Sequence, residues 1–339
     1  MIDGLLELVF FAARLFLVAG VIGLLLLMVL RALRIRPGDS SPTLQVRRID
    51  RELQEMAIAL DAAGLAPGER RAHIKRLRKH VQQVDHTSVA RVFVLDFDGD
   101  LQANPVDALR DEVSLLLRVV REGDQVLIRV QSAGGLVHGY GLAAAQLLRL
   151  RESGVPVTVA VDRIAASGGY MMAAVGHEII AAPFAIIGSI GVLARVPNLH
   201  RLLERVGVDY EEMTAGEYKS TVSMLAEIST EGRRHFKEQL DDTHELFKSF
   251  LARVRPAIDL DQTANGAYWY GEQALEFGLV DRILTSDDWL AEVPPGTPIL
   301  AVRLDDPVPL QERLSQWVSA TSERVLRRVL DHAGRPPLP

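Results

Sequence analysis

Residues 89–290 predict an α/β fold with a mainly parallel sheet and crossover helices. Two observations carry this: apolar, β-branched runs of strand length alternate with helical patterns, and glycine pairs follow two of the runs. In order, Arg91-Val-Phe-Val-Leu-Asp-Phe97 is the first strand and Asp107 to Arg121 the first good helix. Val126 to Val130 is the next strand, Tyr140 to Glu152 a helix, and Val155-Pro-Val-Thr-Val-Ala-Val161 a buried strand. Tyr170 to Val175 is helix-compatible, and Ala182 to Val192 is an apolar stretch carrying one serine, Ser189. Helices continue over Pro197 to Val206 and over Thr230 to Arg255, the latter long, amphipathic and suited to an assembly surface. Beyond Asp281 the pattern weakens, with Pro294, Pro295, Pro298, Pro307 and Pro309 interrupting it before a final amphipathic helix, Leu310 to Ala333, and a frayed end. No internal repeat points to a duplicated domain.

Upstream, Leu15 to Leu30 carries no charge, and with Val9 to Ala13 it approaches the roughly 20 residues that cross a bilayer. A cleavable signal peptide is the rival, but the start is acidic, with Asp3 and Glu7, and no small-x-small site precedes Arg31, Arg34 and Arg36. A permanent transmembrane helix is expected. The arginines place the bulk of the chain in the cytoplasm by the positive-inside rule. A charge-rich helical region begins near Thr43, with Leu53, Met56, Leu60, Leu65, Ile74 and Leu77 as contact positions. Its basic run Glu69 to His80 is a solvated linker or a surface for anionic lipid heads. The expected layout is thus 1–36 anchor and basic flank, 37–88 charged helical linker, 89–290 catalytic domain and 291–339 Pro-interrupted tail. A formal charge of −6 argues against a general nucleic-acid binder, and the lack of cysteine leaves the compartment open.

The chemistry sits at strand ends. Ser167 of Ala-Ala-Ser-Gly-Gly-Tyr lies past a strand, and the first amides of the following segment point back toward it, an oxyanion-stabilising layout. Ser132-Ala-Gly134-Gly135 ends another strand, where glycine lets a backbone amide approach a ligand. Downstream, Gly-Glu-Tyr-Lys219-Ser offers a base, and Ser189 a group to orient it. Each piece alone reads as a plain turn or a surface charge; the combination points to a serine–lysine protease.

These motifs, with Ile-Gly-Ser-Ile-Gly-Val and Trp269-Tyr-Gly-Glu-Gln-Ala-Leu-Glu-Phe-Gly-Leu-Val-Asp281, resemble the signal peptide peptidase A family, peptidase family S49, and most closely its membrane-anchored SohB branch. The resemblance covers roughly residues 89 to 285. It implies a ClpP/crotonase-like fold with Ser167 as nucleophile, Lys219 as general base, Ser189 holding the lysine amine, and the Gly134 and Gly168 amides as the oxyanion hole. It also implies a homo-oligomer, peptide substrates of extended apolar sequence, a bacterial inner-membrane location on the outer face or surface, and no cofactor. The side of the membrane stays open, since the arginines argue the other way. One departure is Ala133, where the family has proline, which removes a fixed φ before the glycines. For the lysine to act as a base, burial has to favour its neutral form over the ammonium of a free side chain, whose pKa is about 10.4.

Two other classes compete. Val94-Leu-Asp96-Phe-Asp98-Gly-Asp100 resembles the opening of haloacid dehalogenase-type phosphatases, which need magnesium, but Asp100 stands where Thr or Val is usual, and Asp241-Asp242 and Asp287-Asp288 are badly placed. A membrane-tethered scaffold without activity would need none of Ser167, Lys219 and the glycine pairs together. His73, His80, His86, His177 and His200 show no metal-ligand spacing.

Overall fold

Among the described residues, ten strands form one sheet: β1 (Thr43–Arg48), β2 (Val92–Gly99), β3 (Gln125–Ser132), β4 (Val157–Val161), β5 (Ile164–Ala166), β6 (Glu178–Ala181), β7 (Ile186–Gly188), β8 (Tyr268–Tyr270), β9 (Arg282–Ile283) and β10 (Ile299–Asp305). The helices are α1 (Ile49–Ala63), α2 (Pro67–Val84), α3 (Val106–Val119), α4 (Val137–Glu152), α5 (Gly168–Ala173), α6 (His200–Arg205), α7 (Thr230–Val254), α8 (Leu260–Thr263), α9 (Gly271–Glu276) and α10 (Ser286–Glu292). This computed structural model describes Gly20 and residues 43–84, 90–216 and 218–305. The expected anchor at Leu15 to Leu30, apart from Gly20, and the final helix at Leu310 to Ala333 lie outside them. Among the described residues no helix is long and apolar enough to cross a membrane. Two units are distinguished, Leu44–Asp305 and a second of Met1–Thr43 with Asp306–Pro339. Helices α1 to α10 and strands β2 to β10 lie in the first.

The strand order is β1-β10-β2-β3-β4-β6-β9, with a branch in which β5 pairs β3 and β7, and β7 pairs β8. The pairings of β2 with β10 and β3, of β3 with β4 and β5, and of β6 with β4 and β9 are parallel, and so is β5 with β7. Strands β7 and β8 pair antiparallel. The branch positions the site. Strand β3 pairs β4 over Val126 to Arg129 and then turns its last residue, Ser132, to Ala165 of β5. The expected single strand ending at Val161 is therefore followed by a second, and Ser167 follows β5. The chain breaks between them at Asp162, whose carboxylate accepts from the Ser286 amide (2.8 Å) and hydroxyl (2.6 Å).

Side chains alternate across the sheet as a strand's period of two requires. On one face Phe93, Leu95 and Phe97 of β2 join Val126, Ile128 and Val130 of β3 under α3, α4 and α5. On the other, Val92, Val94, Leu127, Ala160 and Ile180 pack with Trp289 of α10 and Ile299. Fully burying an aliphatic chain stabilises by about 1.5–3 kcal/mol, so these two layers hold the strand ends in register.

Two differences from the expected elements have physical causes. Thr43–Arg48, expected as helical, is a strand: Thr and Val favour extended backbone, but its polar, mostly exposed side chains hide the period. The tail beyond Asp281 contributes β10, which pairs β2. Pro298 precedes that strand and, lacking an N–H, supplies only its carbonyl, to Val92 at 2.9 Å. The sheet accordingly spans residues on both sides of positions 88 and 290. Glu112 of α3 is buried and accepts the Leu304 amide of β10 at 2.8 Å. Burial pushes its carboxyl up to about 7; Asp96 and Asp305 add to this, while the Leu304 bond and Arg303 oppose it.

Candidate active site

The ends of β3, β5 and β7 bring four of the five expected residues together. Ser167 follows β5 with φ 53° and ψ −118°, a left-handed φ that a non-glycine residue adopts at a cost of roughly 1–3 kcal/mol. It is over-determined by its neighbours: its N–H donates to Gly188 at 2.7 Å and its carbonyl accepts from Met171 at 2.9 Å. Ser189 has φ 50°, and its N–H donates to Ala267 at 2.7 Å. Because Ala166 lies opposite Gly188, the two half-buried serines leave adjacent parallel strands side by side. Trp269 of β8 pairs with Ile187 and backs this corner.

Gly134 is packed against Ser167. Its φ is +85°, and a Cβ there would lie 2.7 Å from the Ser167 Cβ, 2.8 Å from the Ala166 carbonyl oxygen and 2.8 Å from the Gly168 nitrogen. No other residue type fits without moving the site. Gly168 opens α5, where a first-turn N–H has no intrahelical acceptor. A Cβ on it would meet the Tyr140 ring at 2.4 Å. The Gly134 N–H, expected as an oxyanion donor, already donates to the Ser132 hydroxyl at 3.0 Å, so an oxyanion has to share or displace that bond. Ala133 is exposed, and the turn is held by that Ser132 hydrogen bond.

Lys219 departs from what its expected role requires. It is exposed, in a turn where its N–H donates to Gly216 at 3.2 Å. Among the described residues no hydrogen bond joins its amine to Ser167 or Ser189. The cause is the segment it rides on: Leu193, Leu202, Val206, Met213 and Met224 also face solvent, so among the described residues this segment gives the lysine no apolar cover. Tyr218 stacks on His235 of α7, with centroids 4.0 Å apart, which ties the turn to the long helix.

The phosphatase-like residues do not form a site. Asp96 and Asp98 lie within β2, on its exposed side, and do not open a turn. Asp96 is held by the Arg129 guanidinium at 2.6 and 2.9 Å, and Gln131 donates to Asp98 at 3.3 Å. Asp100 accepts from Asn104, which holds its carboxyl below the usual range. His73 faces Asp61, His200 faces Glu204, and the His177 Nδ1 accepts the Val157 amide, its ring held below the ordinary value by burial and by Arg151. Asp281, seen in the sequence only as the end of a motif, accepts from the Ile179 amide at 2.7 Å and from Arg255 at 2.8 and 3.0 Å. Sequence reasoning gave no role to Tyr140, whose place at the start of a helix reads as ordinary core.

Similarity to known proteins agrees with the motifs. The model of peptidase family S49 matches residues 149–295, and that of the family's N-terminal region matches residues 3–147. The chain is 50% identical over 214 residues to a Haemophilus influenzae protein named Probable protease SohB, covering 63% of this chain and 61% of that one. It is 52% identical over 200 residues to a Buchnera aphidicola protein of the same name, covering 59% and 60%. The chain thus spans about three fifths of those relatives' length. It is also 36% identical to the Synechocystis protein slr0021, covering 56% of this chain and 71% of that one. Among solved structures it is similar to a mutant of the 1510-N membrane-bound stomatin-specific protease, at 17% identity and a TM-score of 0.38, covering 60% of this chain and 84% of that one. An enoyl-CoA hydratase/isomerase family protein of Silicibacter pomeroyi gives 16% identity and 0.36, covering 60% and 75%. With both family models matched in chain order and 71% of slr0021 covered at 36% identity, the chain belongs to peptidase family S49.

Proposed function

We propose that this chain is a membrane-anchored serine endopeptidase with a Ser167–Lys219 dyad on a ClpP/crotonase-like fold. The observation that carries it is the strained Ser167 at the end of β5 with Gly134 and Gly168 packed against it. Such an arrangement is costly and serves a nucleophile presented beside backbone donors. Ser167 Oγ attacks the peptide carbonyl, Lys219 takes its proton and returns it to the leaving amine, and Gly134 and Gly168 stabilise the oxyanion. Water then releases the acyl group. Ser189, one strand away from Ser167, orients the lysine amine.

A lysine serves as a base only where its amine is shielded from water, so Lys219 has to be covered. A homo-oligomer that buries the apolar side chains between residues 191 and 229 supplies the cover, and their exposure supports assembly. Substrates are extended apolar peptides, such as signal-peptide remnants or membrane-protein fragments, which add a strand at the site's edge. The uncharged run Leu15 to Leu30 anchors the protein in the bacterial inner membrane. Incubating the full-length protein with a fluorophosphonate and mapping the adduct by mass spectrometry tests the nucleophile. An adduct on Ser167 that abolishes peptide hydrolysis is expected. Hydrolysis that survives full labelling of Ser167 overturns the assignment.

A further inference from the structure

We propose that Tyr140 is a positioning residue that sets the two oxyanion amides relative to one another. The inference rests on the peptidase reading above. Tyr140 is fully buried on α4, away from solvent and substrate, yet it reaches both strand ends that carry the amides. Its ring lies against the Gly168 backbone, where even a methyl would meet Cγ at 2.4 Å and Cβ at 2.6 Å. Its hydroxyl lies 2.5 Å from the Ser132 Oγ and donates to the Asp100 carbonyl at 2.6 Å.

The directions of these bonds follow from the donors. A phenol has one proton, and it is committed to Asp100. Ser132 therefore donates to Tyr140, which leaves its lone pairs for the Gly134 N–H at 3.0 Å. The result is a one-way chain, Gly134 N–H to Ser132 to Tyr140 to Asp100, in which each bond polarises the next and fixes the Gly134 turn; an oxyanion shares that N–H with the Ser132 hydroxyl in a three-centre bond. Burial, with Asp100 and Asp98 nearby, pushes the Tyr140 phenol up against the opposing Ser132 bond, which keeps its proton in place. One side chain thus fixes the Gly134 turn through its hydroxyl and the Gly168 backbone through its ring. Phe97 meets the Tyr140 ring edge-on, with centroids 6.2 Å apart, and locks its rotamer. Where the family's proline would stiffen this turn, Ala133 leaves the task to the chain.

The test uses the full-length protein, a fluorogenic apolar peptide, and a matched peptide aldehyde and peptide alcohol. The aldehyde forms an oxyanion on Ser167, and the alcohol does not. Tyr140→Phe and Ser132→Ala should each lower kcat about tenfold to a hundredfold with KM nearly unchanged. Aldehyde affinity should fall by a similar factor while alcohol affinity holds. The double variant should be little worse than either single one, because the chain acts as a unit. A folded Tyr140→Phe protein with wild-type kcat and aldehyde affinity overturns the inference. Equal losses for aldehyde and alcohol do the same, since they mark a merely structural role. If Tyr140→Phe does not fold, Ser132→Ala decides by these criteria. A wild-type protein inert to the peptide and unlabelled at Ser167 sinks the peptidase reading itself, a result distinct from an active wild type with an equally active Tyr140→Phe.

Discussion

Replacing Gly134 by alanine separates backbone strain from displacement of the site, because the fold supplies its own control. Gly134 and Gly154 have nearly the same dihedral, φ +85° and +84°, but a methyl on Gly154 would have nothing within 4 Å, whereas one on Gly134 would have three atoms at 2.7–2.8 Å. Left-handed backbone costs an alanine about 1–2 kcal/mol. Gly154→Ala should lose that much stability and keep wild-type turnover. Gly134→Ala should lose it plus about 1–3 kcal/mol for overpacking, since the atoms it meets are backbone and Cβ and cannot swing aside. To relieve the overlap, Ser167 and Gly168 must move by several tenths of an ångström or more. A displacement of about 1 Å costs on the order of a hundredfold in rate. Urea unfolding followed by circular dichroism gives the stabilities, and hydrolysis of a fluorogenic peptide gives the rates. If the two variants lose equal stability, or if folded Gly134→Ala turns over like wild type, Gly134 does not abut the nucleophile as described.

Glu112 gives a pH signature. Its folded carboxyl is raised from 4.5 to about 7, so the stability it contributes is complete below the unfolded value and lost as pH rises through 7. At about 1.4 kcal/mol per tenfold change in proton affinity, the loss between pH 4.5 and 8 is about 3 kcal/mol. Glu112→Gln should flatten that slope in urea titrations, and an unchanged slope would clear Glu112 of the role. Asp281→Ala strips Arg255 and the Ile179 amide of their partner and should cost about 2–4 kcal/mol, read as a lower urea midpoint; a midpoint equal to wild type would mean that the clamp carries no net stability. Deleting residues 1–36 should free the protein from membranes under gentle conditions, whereas high salt should leave the intact chain bound; salt release of the intact chain would show peripheral binding.

Most of the sheet was legible because apolar runs such as Val92 to Leu95 and Val126 to Ile128 are buried on both faces, and glycines cluster beyond the strand ends. Edges were not. Thr43–Arg48 has only exposed or half-buried residues and so shows no core pattern, while Ile299–Asp305, which buries Ile299, Val302 and Leu304, follows prolines that read as a break. The β4–β5 branch hid behind two polar residues, Asp162 and Arg163, the first of which accepts from the Ser286 hydroxyl. Within the site, spacing along the chain pointed to Ser167, Ser189, Gly134 and Gly168 because each lies at a strand end. Tyr140 was illegible, since its partners Ser132, Asp100 and Gly168 meet only when three strand ends converge. The exposure of Lys219 was equally hidden, because Tyr218, Val222 and Met224 look like a burying context until the fold turns their segment outward.

The central claim is that Ser167 and Lys219 work as one catalytic unit, and the direct measurement is peptide turnover by full-length Ser167→Ala, Lys219→Ala and the double variant in membranes. Each single substitution should reduce kcat to background with the protein still folded and membrane-bound, and the double variant should be no lower, as expected of residues that act together. A Lys219→Ala protein that keeps wild-type turnover, or a Ser167→Ala protein that still cleaves, would contradict the account.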